Sequence, residues 1–154
     1  MRKGTLIYSL VLLLILGAAI ILMPAGAQTI SGSAHFDPWK IDLSLPAPSV
    51  VKATIRFESS QHENPRDINA STVLLEGSLP PDNIYYVPGA LVAEFDGEIF
   101  VNLLWAKIYH IGMLEPPYKV WLTITGNLKN EAGGTPFSAT GDVKILVPHT
   151  PPPP

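Results

Sequence analysis

At 154 residues the chain has room for one domain once its ends are set aside. With no cysteine it can form no disulfide framework, thiolate zinc site or cysteine nucleophile. Residues 1–27 hold two of the ten Lys and Arg and none of the thirteen Asp and Glu, so the formal charge of −3 becomes −5 without them. Such an acidic balance argues against nucleic acid, whose phosphates require a basic face.

The chain opens with Arg2 and Lys3, followed by an apolar run over residues 6–23 broken only by Ser9 and Gly17, then Pro24 and Ala25-Gly26-Ala27. A basic start, an apolar middle and small residues at the end are the marks of a secretory signal, with cleavage expected before Gln28. The run also reaches the lower edge of what crosses a bilayer, so the same segment fits an uncleaved anchor. Both readings place the rest of the chain outside the cytoplasm, secreted or at the cell surface, with contact to a membrane only through this segment.

Residues 28–35 are small and polar and read as a spacer, so the domain is expected over residues 36–148. Trp39, Ile41 and Leu43 alternate with polar residues in a first strand that Pro46 and Pro48 stop. Val51, Ala53, Ile55 and Phe57 alternate with Lys52, Thr54, Arg56 and Glu58, the clearest amphipathic strand of the chain. A polar loop over residues 59–69 leads to a third strand over residues 71–76, ended by Gly77. Pro80 and Pro81 exclude a central strand there, whereas residues 84–87 suit a short edge strand and residues 91–95 a longer one.

Residues 98–113 fit two periods. Ile99, Val101, Leu103 and Trp105 follow a strand, while Phe100, Leu104 and Ile108 follow a helix. Asp96 ahead of the run and Gly112 near its end favour a short helix crossing between sheets. Glu115-Pro116-Pro117 then leads into a closing pair. In its first strand Val120, Leu122 and Ile124 oppose Trp121, Thr123 and Thr125; residues 130–136 turn the chain, and Val143, Ile145 and Val147 share one face of the return strand. Residues 149–154 are a stiff Pro-rich tail.

About seven short strands, no βαβ rhythm and one helix predict an all-β immunoglobulin-like sandwich after an N-terminal hydrophobic helix, with a partly open barrel as the alternative. Only the architecture is implied, since the Cys and Trp spacing of antibody domains is absent.

Three stretches are familiar together: residues 68–77 (INASTVLLEG), residues 91–96 (LVAEFD), and residues 122–128 (LTITGNL) followed by Gly134-Thr135-Pro136-Phe137. They resemble a β-sandwich module of archaeal and bacterial secreted and surface proteins, with the pattern I-(D/N)-x-S-T-V-x-L-x-G, then L-x-x-x-F-D, then L-T-V-T-G-x-L and G-T-x-F. The likeness spans about residues 39–147 and implies a sandwich fold without established enzymatic activity, used as an accessory or spacer unit. Related modules often carry an Asp-rich run before the second stretch that suits calcium. Here residues 83–89 read NIYYVPG, with only Asp82 nearby, so the resemblance brings no calcium site.

His35, His62, His110 and His149 lie in separate segments without metal-ligand spacing, and His62 with Glu63 and Asp67 is the one local cluster. No metal or cofactor is expected, and no catalytic residue: a G-x-S-x-G elbow is absent, and the carboxylates Glu94, Asp96 and Glu98 read as a solvated face. Asn69-Ala70-Ser71 is a glycosylation sequon. The tryptophans are expected to fill the core, leaving Tyr85 and Tyr86 as the pair for a ligand. The expected function is a non-catalytic structural or interaction module, with other surface proteins or polysaccharide as partners; the alternative is a carbohydrate-binding module using exposed aromatics.

Overall fold

The computed structural model describes residues 29–58, 64–111, 118–129 and 134–146. The N-terminal hydrophobic segment, His62, Glu63, Gly112, residues 115–117, Val147 and the Pro-rich tail therefore lie outside the described residues, as do most of the turn over residues 130–136 and the side chain of His110.

The described chain is mostly β, with one helix. In order come β1 (Ile30–Asp37), β2 (Lys40–Asp42), β3 (Val50–Phe57), β4 (Leu74–Leu75), β5 (Asn83–Val87), β6 (Ala90–Asp96), α1 (Gly97–Ile111), β7 (Tyr118–Asn127) and β8 (Pro136–Leu146). Hydrogen bonds join them into one curled, mixed sheet in the order β4-β7-β8-β1-β3-β6-β5, with β2 also on β8. The β1–β8 and β2–β8 pairs are parallel and the others antiparallel. A cis Asp37–Pro38 bond separates β1 from β2.

Period-2 alternation decides which face turns inward. Val51, Ala53 and Ile55 of β3 stand opposite Phe95, Ala93 and Leu91 of β6, and all six are buried. Across the other half of the sheet, Val120 faces Val143, Ile124 faces Ala139, and Gly126 faces Phe137. A Cβ on Gly126 would meet the Phe137 ring at 2.6 Å, so the glycine of the T-G stretch and the phenylalanine of the G-T-P-F stretch are one packing unit. Phe36, Phe95, Phe100 and Phe137 are the largest fully buried side chains, each worth about 1.5–3 kcal/mol by transfer from water. Such a core explains how the domain holds together without cross-links.

The ambiguous residues form α1, 15 residues long. The Asp96 carboxylate accepts the Ile99 amide at 2.9 Å and so satisfies one of the free donors of the first turn. Phe100 and Leu104, one turn apart, are fully buried, and Ile108 packs against the same cluster. Phe100 sits between Phe36 and Phe95 at centroid distances of 5.8 and 6.4 Å. The helical spacing therefore prevails over the strand spacing because it delivers one face to a waiting aromatic core.

Three expectations need correction. Residues 30–35, expected as spacer, are most of β1, paired on both sides. Their small side chains serve close packing: a Cβ on Gly32 would meet the Arg56 carbonyl oxygen at 2.8 Å and Ala139 at 3.3 Å. The third strand is only Leu74–Leu75, preceded by a 3₁₀ turn over Ala70–Thr72. There the Thr72 hydroxyl donates to the Asn69 carbonyl and accepts the Asn127 amide, both at 2.8 Å, so side chains replace the ladder. Finally, the tryptophans do not fill the core. Trp39 and Trp121 are 51% and 56% exposed, and the interior is packed with phenylalanine and aliphatic residues instead.

Candidate functional site

The face of β7, β8 and β2 turned away from the core carries the exposed tryptophans. Since Val120 and Leu122 point inward, Lys119 and Trp121 point outward, and the register sets Lys119 opposite Lys144 and Trp121 opposite Asp142. On the far side of β8, Lys40 is aligned with Lys144. Three lysines thus form one row across three strands. Lys119 Nζ lies 4.7 Å from the Trp121 ring centroid and Lys144 Nζ lies 5.0 Å from that of Trp39, both within cation–π range. The Lys144 amide also donates to the Trp39 carbonyl at 2.9 Å, which fixes Trp39 at the edge of the row. Asp142 meets Lys119 at 3.4 Å, and among the described residues neither Lys40 nor Lys144 has an ion-pair partner. Thr123 faces Thr140 and Thr125 faces Ser138 farther along the same face, adding hydroxyls.

This face can offer aromatic surface, positive charge and hydroxyl groups on a support of three hydrogen-bonded strands. Residue type alone points the tryptophans to the core and so hides this face in the sequence. The signal was nonetheless present: Trp121 stands out of phase with Val120, Leu122 and Ile124.

Tyr85 and Tyr86 are neighbours in the edge strand β5 and so project to opposite sides. Tyr86 donates its hydroxyl to the Ile68 carbonyl at 3.1 Å, and Lys129 Nζ lies 5.8 Å from its ring centroid. Tyr85 shares the outer face with Lys52 and Glu94. The two rings do not form one platform. The Glu94 carboxyl is held below its usual range by the Asn83 amide at 3.0 Å and by Lys52 at 3.1 Å. Lys52 is correspondingly raised, first by its bond to Glu94 and then by Tyr85. Hydrogen bonds from the Ser44 hydroxyl and amide lower Asp42 in the same way.

Glu94 and Asp96, two of the carboxylates expected on a solvated face, are occupied by different tasks, one in a surface network and one at the start of α1. An open depression of about 460 Å³ is lined by Ala47, Pro48, Ser49, Asp96 and Glu98. Among the described residues no group of three or more His, Asp or Glu could hold a metal ion. The sequon residue Asn69 is half-buried; its Oδ1 accepts from the Ser71 hydroxyl at 2.8 Å and from the Ser71 amide at 3.3 Å. No described helix is long and apolar enough to cross a membrane.

No family model, curated protein or solved structure matches the chain.

Proposed function

We propose that this protein is a non-catalytic, extracytoplasmic module, a structural or interaction unit of a secreted or cell-surface protein, built as an immunoglobulin-type sandwich. The strand order supports the architecture. In chain order β1, β3, β5 and β6 take the places of strands A, B, D and E in one sheet, and β4, β7 and β8 those of C, F and G in the other. β1 belongs to both, pairing antiparallel with β3 and parallel with β8, as a strand that switches sheets does.

The observation that carries the role is the parallel pairing of the first and last strands. Ile30 aligns with Phe137 at the start of β8, whereas β8 runs on to Leu146 at the other end. The start of β1 and the end of β8 therefore lie at opposite ends of the pair, about 35 Å apart for a strand of 11 residues. That is the geometry of a unit placed in line between neighbours. The basic-apolar-small segment of residues 1–27 supports export.

Protease shaving of intact cells, followed by fractionation, tests the location. The domain should be lost from unbroken cells and protected in none of the soluble fractions. Recovery of an intact chain from the cytosol would overturn the reading.

A further inference from the structure

We propose that the face formed by Trp39, Lys40, Lys119, Trp121 and Lys144 binds an acidic polysaccharide, its sugar rings stacking on the two indoles and its carboxylates pairing with the row of lysines. The inference deepens the interaction-module reading by naming a partner class and depends on it only for where the polymer is met.

Four observations point to this ligand. First, each tryptophan remains more than half exposed even with a lysine laid over its ring. An exposed tryptophan forgoes a large share of its burial free energy, and two of them on one face form a binding-type surface. Second, three of the chain's ten Lys and Arg stand side by side across neighbouring strands. Like charges at that spacing repel one another. An anion lying along the row relieves that repulsion: Asp142 pairs with Lys119, and Asp42, two residues from Lys40 on the same strand, attracts Lys40, which leaves Lys144 at the centre of the row without an ion-pair partner among the described residues.

Third, the face spans two strand spacings, about 10 Å, and none of its residues lines the open depression beside Ala47 and Glu98, which suits an extended polymer better than a small molecule that needs a cleft. Fourth, the rows of Thr123, Thr125, Ser138 and Thr140 continue the face with hydroxyl donors and acceptors suited to sugar hydroxyls. The acidic balance of the rest of the chain weakens long-range attraction of every polyanion, so the aromatic surface beside the lysines is what favours an anion carried on a sugar ring. Uronic-acid polymers, with carboxylates on sugar rings that have apolar faces, supply both features.

The experiment is affinity electrophoresis of the full chain in gels containing polygalacturonate, paired with titration of tryptophan fluorescence. Dextran, single-stranded DNA and a protein-only gel run alongside. Retardation by polygalacturonate is expected, with no retardation by dextran. Binding should weaken at about 1 M salt, where the screening length falls to about 3 Å. Trp39→Ala and Trp121→Ala should each weaken binding about three- to tenfold, the size of one lost aromatic contact, and Trp121→Phe should retain most of it. Lys119→Ala with Lys144→Ala should reduce both affinity and its dependence on salt. Circular dichroism and the thermal midpoint of each variant separate lost binding from lost folding.

No retardation by polygalacturonate at low salt would overturn the proposal, as would binding undiminished in the folded Trp→Ala variants. Equal or tighter binding of single-stranded DNA would overturn the ligand class. A dimer in sedimentation equilibrium that Trp121→Ala dissociates would assign the face to a second copy of the chain instead. None of these results bears on the shaving experiment, so failure of the ligand and failure of the location are separately visible.

Discussion

Glu76 accepts the Thr123 amide on its carboxylate at 2.6 Å and donates its own amide to the Thr123 carbonyl at 2.8 Å, so one residue makes both bonds that a partner strand would make. It does this just where β4 ends after two residues. The second carboxylate oxygen meets Lys107 Nζ from α1 at 2.5 Å, and Lys107 also reaches the Trp121 carbonyl at 3.3 Å. Helix and loop together thereby cover an edge of β7 that would otherwise be open to another chain.

Removing that carboxylate should cost stability. Glu76→Ala leaves the Thr123 amide without its acceptor and Lys107 without its partner, for a loss of about 1–3 kcal/mol in urea unfolding. Glu76→Gln keeps an acceptor oxygen and should lose less. Equal loss in the two variants would show that the amide bond is not what matters.

A second expectation concerns close backbone approach. Leu122 of β7 stands opposite Gly141, and a Cβ at Gly141 would run into the Ala34 carbonyl oxygen and lie 3.1 Å from the Phe36 ring. Gly141→Ala must displace β1, and overpacking of this kind costs about 1–3 kcal/mol or more. Gly89 has open space around its Cβ position but a φ of +71°. Gly89→Ala should therefore cost only about 1 kcal/mol, through backbone strain. Thermal unfolding of the two variants gives the order directly.

Phe100 tests how α1 is anchored. Its ring is fully buried between Phe36 and Phe95, so Phe100→Ala opens a cavity and should destabilise by about 3–5 kcal/mol. Ile99 is 51% exposed, and Ile99→Ala should change stability by no more than about 0.5 kcal/mol. Comparable losses at the two positions would mean that the helix presents a different face.

The pH dependence follows from the surface network of Lys52, Asn83 and Glu94. Glu94 is lowered in the folded protein, so its contribution is present above its unfolded value near 4.3 and is lost as pH falls through the lower folded value. Asp42 acts in the same direction through Ser44. Lys52 is raised, so its contribution is complete below about 10.4 and is lost as pH rises through the higher folded value. Glu94→Gln should flatten both limbs of the thermal midpoint against pH, the acid limb directly and the alkaline limb through Lys52. These groups are solvent-exposed, so the change should be small; an unchanged profile would remove Glu94 from the account.

Much of the fold was legible because alternation was strong. Val51 to Phe57 and Val120 to Thr125 appear with the faces their pattern implies, and Asp96 caps α1 as its position suggested. What escaped were positions where two forces write the same letters. Gly32 and Ala34 look like a flexible spacer, yet they are small because strands lie tightly on both sides. Residues 71–76 look like a strand, yet Asn69 and Thr72 offer the backbone nearer partners. Trp121 suits the core by residue type, yet its phase places it outside. Composition says how much apolar surface there is to bury; phase says which residues bury it.

Tyr86 separates a structural tyrosine from a ligand platform. Its ring sits at the sheet edge, its hydroxyl ties β5 to residue 68, and Lys129 lies against the ring while donating to the Arg66 carbonyl at 2.7 Å. Three segments distant in sequence are thereby held at one corner. Tyr86→Phe removes only the hydroxyl and should cost about 0.5–1.5 kcal/mol. Tyr86→Ala also removes the ring that Lys129 covers and should cost more. If Tyr86 acts as this corner post, both losses appear in urea unfolding of the free protein, and polygalacturonate retardation at native conditions is unaltered by Tyr86→Phe. Normal stability with lost retardation would instead move the binding face from Trp121 to β5.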